Sequence, residues 1–136
     1  MAKSALVDAG FLIALLNRGD THPSWAVTQA SAFQLPWQSC EAVLSEAFHL
    51  LGKPGGSQLA TLLRRDAITM TFTFAGQLDP VLNLIKKYAE VPMSFADACL
   101  IRMTEMISDC VLLTTDSDFG IYRRHGRHIV PCLMPY

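Results

Sequence analysis

At 136 residues, of which 51% are hydrophobic, the chain carries enough apolar material to bury a core without disulfides or a structural metal, and has the size of one ordinary domain. Eleven Lys and Arg against twelve Asp and Glu give a net charge of −1, so no overall basic balance advertises nucleic-acid binding, and any contact with a polyanion must rest on a local patch. Cys40, Cys99, Cys110 and Cys132 contain no C-x-x-C pair, and His22, His49, His125 and His128 no tight zinc pattern, which speaks against a zinc module and for a reducing compartment.

The apolar stretch behind Lys3 is interrupted by Asp8 and followed by Arg18 and Asp20, with no A-x-A cleavage site. No apolar run approaches the ~18 residues of a membrane span. The expected location is therefore the cytoplasm, with no membrane partner. In chain order, residues 4–8 read as a short buried strand and 11–17 as a helix begun soon after it. Pro23 suits the first turn of a second helix to about Phe33, with Thr21 or His22 near its cap. Residues 33–38 read as a strand that Pro36 confines to an edge or an end.

Ser39 precedes a helix over 40–51 stopped by Gly52 and Pro54, and 53–56 reads as a loop before a short helix over 57–65. Ile68, Met70, Phe72 and Phe74 alternate with Thr69, Thr71 and Thr73, the period of a half-buried strand. Asp79 and Pro80 supply the cap and first residue of a helix to about Ala89. Ser94 caps a helix to about Ile107 with Asp97 in its first turn, 111–115 is a buried strand, and 128–133 is the last. Strands alternating with helices predict an α/β fold with a mostly parallel sheet, in a single domain over 1–136.

The placement of the acids carries the functional signal. Asp8 ends the first strand and Asp116 the strand over 111–115. Ligand sites of open α/β sheets lie beyond the carboxyl ends of strands, where strand order reverses. Asp97, in the first turn of the preceding helix, reaches the same rim. Glu46 shares a helix face with Val43, Ala47 and Leu50, where a carboxylate is costly unless something pairs with it. Each acid has a plainer explanation: Asp8 as a helix cap, Asp97 as a complement to a helix dipole, Glu46 paired with a buried Arg, Asp116 and Asp118 as loop acids. One divalent cation accounts for all four positions together. Carboxylate oxygens suit magnesium, which acidifies a bound water and neutralises charge on a phosphoryl oxygen. No P-loop, G-x-G-x-x-G or G-x-S-x-G motif supports another chemistry.

These segments resemble the PIN domain, and in particular the VapC-type toxins of bacterial toxin–antitoxin pairs. LVDAGFLIALLNRGDTHPSWA resembles the family's opening strand and helices, with Asp8 at its first acid. SEAFHLL matches the motif that supplies a glutamate, here Glu46, and SFADACLIRM the one around the third acid, Asp97. LLTTDSDFGIYRR matches the closing motif, with Asp116 as fourth acid and Asp118 a helper or replacement. The ordered set spans nearly the whole chain. The resemblance implies a PIN-like domain of three layers, α/β/α, with a sheet of four or five strands. It implies an endoribonuclease dependent on magnesium or manganese, commonly a homodimer, that hydrolyses RNA phosphodiester bonds with a metal-activated water. Asp8, Asp97 and Asp116, with Asp118 as helper or replacement for the last, would hold the metal, Glu46 would bind directly or through water, and Ser94, Thr114 and Thr115 would support them with hydroxyls. In such toxins a small antitoxin protein inserts into the active-site groove. Two other readings stand beside this one: a housekeeping PIN-type nuclease on RNA or DNA with no antitoxin, and a degenerate, non-catalytic PIN binding module.

Arg123, Arg124, His125, Arg127 and His128 form the densest basic segment, directly after the last acidic motif. The three arginines are candidates to hold RNA phosphates, against the plainer reading of a solvated turn. Trp25, Trp37 and Phe48 lie in periodic apolar segments and are expected to pack in the core.

Overall fold

The computed structural model describes residues 3–17 and 19–136, so Arg18, read above as following the apolar stretch, lies outside the described residues. Strand β1 (Ser4–Val7) buries Ala5, Leu6 and Val7 alike, as a strand covered on both faces requires. Asp8 then caps helix α1 (Ala9–Leu16), which starts at Ala9 and not at Phe11 because the Asp8 carboxylate accepts the Phe11 N–H at 2.9 Å. Helix α2 (Pro23–Ala32) has Pro23 in its first turn and His22 at its cap position. Strand β2 (Trp37–Ser39) begins only after Pro36, which has no N–H for a ladder. It lies inside the sheet, so Pro36 marks an end and not an edge.

Helix α3 (Glu41–Arg64) corrects the expectation of two helices joined by a loop over 53–56. Gly52, at φ 66 and ψ −159, breaks the helix for one residue. Helical turns resume at once, with Pro54 in the first of them, where its missing N–H has no partner to lose. Gly55 is buried there because a Cβ on it would lie 2.7 Å from Leu51 Cδ2.

Strand β3 (Ile68–Met70) is shorter than the alternation over 68–74 predicts. Pairing stops at Met70, and a 3-10 turn (Phe74–Gln77) leads into helix α4 (Leu78–Lys87). The alternation survives as burial, with Phe72 buried between exposed Thr71 and Thr73. Asp79 and Pro80 consequently sit within the first turn of α4, and Gln77 holds its cap position. Helix α5 (Phe95–Met106) opens on Ser94 as expected, and strand β4 (Cys110–Leu113) follows it. The last expected strand, over 128–133, is two. Strands β5 (Arg123–Arg124) and β6 (His128–Ile129) pair as an antiparallel hairpin, and β7 (Cys132–Leu133) joins the main sheet beyond Pro131.

The main sheet has the order β3-β2-β1-β4-β7 with all neighbours parallel. The chain therefore builds outward from β1 on one side, then returns to build outward on the other. Right-handed crossovers in those opposite directions carry α1–α3 and α4–α5 to opposite faces. Packing agrees, with α1 against α2 and α3, and α4 against α5. Phe11 anchors the first group between Trp25 and Trp37, edge-on at 5.9 and 5.5 Å. Phe48 departs from expectation at 38% exposed. All four cysteines are free thiols, and no helix among the described residues is long and apolar enough to cross a membrane.

Candidate active site

Strand order reverses between β1 and β4, whose Val7 and Leu113 lie side by side in the register. Asp8 and Thr114 follow them at the carboxyl edge, the place where such sheets bind ligands. A cleft of about 200 Å³ opens there, lined by Asp8, Gly10 and Ile13, by Glu46 and Leu50 of α3, and by Asp97, Thr115 and Asp116 among others. Asp8, Glu46, Asp97 and Asp116, widely separated in sequence, thus face one cavity.

Asp8 sits deepest, 6% exposed. Its Oδ1 accepts the Phe11 N–H, and its Oδ2 accepts the Thr114 hydroxyl. The same Thr114 Oγ1 accepts the Asp116 N–H at 3.0 Å, so one buried threonine fixes two of the acids relative to each other. Burial pushes the Asp8 carboxyl up to about 7 against the pull of these hydrogen bonds, and the charges of Asp116 and Asp97 push it further. Asp97 stands in a capping box: its N–H donates to Ser94 Oγ at 3.0 Å, and the Ser94 N–H donates to Asp97 Oδ2 at 3.3 Å. Ser94 therefore supports Asp97 as a helix cap. Burial, then the charge of Asp116, also raises the Asp97 carboxyl above its ordinary value.

Asp116 caps the 3-10 turn Ser117–Gly120, its Oδ1 accepting the Asp118 N–H at 2.9 Å. Asp118 is half-buried in that turn and does not line the cleft. Glu46 corrects the sequence reading: it is exposed, as is Leu50 at 55%. Val43 and Ala47 on the same helix face are buried, so that face passes from core to cleft within one turn. Glu46 meets water there and needs no buried partner.

The arginines do not meet the cleft. Arg123 is half-buried, and its guanidinium donates to the carbonyls of Gly120, Ile121 and Tyr122. Arg124 donates to the Thr104 carbonyl at 2.8 Å. Both hold the hairpin to the body of the protein. Arg127 is exposed, away from the cleft lining.

Two residues that carried no signal in the sequence belong to the site. Tyr122 is wholly buried, and its hydroxyl faces Pro92 O and Asp97 Oδ2, each at 3.3 Å. Gly10 is required by close approach, since a Cβ there would lie 2.1 Å from Thr115 Oγ1.

Hard oxygen donors with unbalanced negative charge suit a magnesium- or manganese-type cation. Among the described residues the one ion pair is Arg102–Glu105, so no basic side chain neutralises these acids. Donor type and charge therefore fit such an ion. The spacing is more open: as the side chains stand, no group of three or more described His, Cys, Asp or Glu is gathered closely enough to hold a metal.

No protein-family model matches the chain, and no curated protein does. Among solved structures, VapC20 from Mycobacterium tuberculosis, described as a sarcin-ricin loop cleaving toxin, matches with a TM-score of 0.75 and 21% identity, over 87% of this chain and 94% of that one. PAE2754 from Pyrobaculum aerophilum matches with a TM-score of 0.49 and 21% identity, over 87% of this chain and 84% of that one. At that level of identity the likeness to VapC20 speaks to the fold: the chain adopts the PIN-like α/β architecture of VapC toxins that its motifs resemble.

Proposed function

We propose that this protein is an endoribonuclease dependent on magnesium or manganese, acting in the cytoplasm as the toxin of a toxin–antitoxin pair. The observation that carries the reading is the convergence of Asp8, Asp97, Asp116 and Glu46 on one cleft at the reversal of strand order, with no basic partner for any of them among the described residues. The likeness to a ribonuclease toxin in fold supports it.

In this reading Asp8, Asp97 and Asp116 hold the cation, with Glu46 from the facing helix as a further oxygen donor. When bound, the cation supplies Lewis acidity, lowering the pKa of water and offsetting charge on a phosphoryl oxygen. Asp8 and Asp116 keep their relative position through Thr114, and Asp97 keeps its own through Ser94 and Tyr122. In this reading the exposed Glu46 carboxylate, which also lines the cleft, would take a proton from the attacking water. A small antitoxin and a second copy of the chain are the proposed protein partners.

Purified protein should cleave single-stranded or looped RNA in magnesium or manganese and not in EDTA. Asp97→Asn and Asp8→Asn should each lower cleavage roughly a hundredfold or more while leaving the circular dichroism unchanged. Undiminished cleavage by Asp97→Asn would overturn the site. A metal-independent protein that binds RNA without cutting it would place the chain with the binding modules instead.

A further inference from the structure

The acid cleft poses a binding problem for its own proposed substrate. Asp8, Glu46, Asp97 and Asp116 line it, and no Lys or Arg does so among the described residues. Arg123 and Arg124 donate to internal carbonyls and do not make up the deficit. Among the described residues, a nucleic acid arriving here meets no row of cations lining the cleft of the kind that ordinarily supplies affinity through counterion release. A contact indifferent to charge has to supply part of its hold.

Such a contact stands on the rim. Thr115 lines the cleft beside Asp116, and its carbonyl accepts a hydrogen bond from the Tyr136 hydroxyl. The Tyr136 ring, anchored at its polar end, is 69% exposed. His22 meets it edge-on, with ring centroids 5.9 Å apart and an interplanar angle of 67°. The His22 backbone is fixed in turn, its N–H donating to Asp20 Oδ2 at 3.0 Å. A large aromatic with its hydroxyl satisfied and its ring in water contributes little to the core. It does offer a π surface held at Thr115, the residue before Asp116.

We infer that Tyr136 and His22 form a stacking platform for an unpaired nucleobase, next to a phosphate seated at the acid cleft. The identity of the polymer rests on the ribonuclease reading above, whereas the stacking contact does not require cleavage. Every base has a π face, so the platform is tolerant of sequence. The anchored ring loses little freedom on binding. A base inside a duplex has both faces covered, so the platform selects single-stranded or looped nucleotides. Affinity that depends on stacking also falls only gently as salt rises, unlike affinity built on phosphate contacts.

The test titrates short single-stranded oligoribonucleotides carrying one 2-aminopurine, and the same oligomers paired to a complement, with wild type, Tyr136→Phe, Tyr136→Ala and His22→Ala. Fluorescence is read on mixing in magnesium, and the same samples are run on a gel for cleavage. Wild type and Tyr136→Phe should quench the single strand and not the duplex. Tyr136→Ala should lose the quenching and bind about 5- to 100-fold more weakly, and His22→Ala should lose part of both. Melting temperatures should stay close to wild type, showing that any loss is local. A Tyr136→Ala protein that quenches and binds like wild type overturns the platform, as does a wild type that binds duplex and single strand alike or binds neither. Cleavage with unaltered binding by Tyr136→Ala would remove the platform and leave the nuclease. Quenching and binding without cleavage would remove the nuclease and leave the platform.

Discussion

Asp97 is held on one oxygen and free on the other. Its Oδ2 collects both the Ser94 N–H and the Tyr122 hydroxyl, each at 3.3 Å. Oδ1 has no protein donor among the described residues, which in the proposed reading leaves it for the cation. Tyr122 can do this because it is locked from behind, its ring edge-on to Tyr88 and Phe119 at 5.3 Å each. Removing its hydroxyl takes one long charge-assisted hydrogen bond from Asp97, worth about 1.5 kcal/mol. Tyr122→Phe should therefore lower kcat for RNA about tenfold with KM for RNA unchanged, and cost about 1 kcal/mol in stability. Steady-state kinetics beside a urea titration separates the two effects, and an unchanged kcat would mean that Tyr122 serves packing alone. No local pattern announces this residue. Its partner lies 25 positions away, and its neighbours in the string I-Y-R-R suggest a basic surface turn. Gly10 is silent for the same reason, since the Thr115 side chain that excludes a Cβ arrives from the segment after β4, distant in sequence.

At the scale of elements, the sequence is clear wherever a local rule decides and unclear wherever a tertiary neighbour does. Ser94 and Asp97 make a capping box that local spacing reveals, and the apolar runs of β1 and β4 can be read as buried strands. By contrast, 53–56, with Lys, Pro and two glycines, has the composition of a loop, yet it is helical, and Leu51 packs where a side chain on Gly55 would stand. The Ile/Met/Phe alternation over 68–74 reports burial faithfully, while strand pairing ends at Met70 with the partner strand's end at Ser39. Helical period puts Glu46 on the face of Val43 and Leu50, which line the cleft with it, but period alone does not say where a face leaves the core. Gly52 is the element-scale feature most open to test. Its φ of 66 and ψ of −159 belong to a region that essentially only glycine occupies, and nothing lies within 4 Å of a Cβ placed there. Gly52→Ala thus meets backbone strain without a clash, and should destabilise the protein by about 1–3 kcal/mol. A lowered urea midpoint with an unchanged slope is the expected result. An alanine variant as stable as wild type would mean that the break in α3 relaxes at little cost.

For the molecule as a whole, unneutralised charge at the reversal of strand order makes stability depend on pH and, in the proposed reading, on metal. The Asp8 carboxyl titrates near its ordinary 3.8 in the unfolded chain and at about 7 in the folded one. Below the first value both states are protonated and Asp8 has no effect. Between the two, the unfolded chain releases a proton that the folded chain retains, so stability falls as pH rises, and above about 7 the loss is complete. A separation of that size corresponds to something on the order of 4 kcal/mol, a large share of the 5–15 kcal/mol typical of a domain. Asp8→Asn removes the titration and keeps a good helix cap. In EDTA the variant should therefore melt above wild type at pH 8, the two converging towards pH 4. In the proposed reading a divalent cation binds the ionised acids of the folded state alone, so magnesium or manganese should raise the wild-type melting temperature at pH 8 by an amount that grows with concentration, about 2.7 kcal/mol at a hundred times Kd. At pH 5 the same addition should do little, because Asp8 must then give up its proton to bind. Melting curves across pH 4–8, with EDTA and with metal, separate these effects. If wild type melts the same across that range, or Asp8→Asn keeps the full metal response, Asp8 is not the buried acid on which an ion site in this cleft is built.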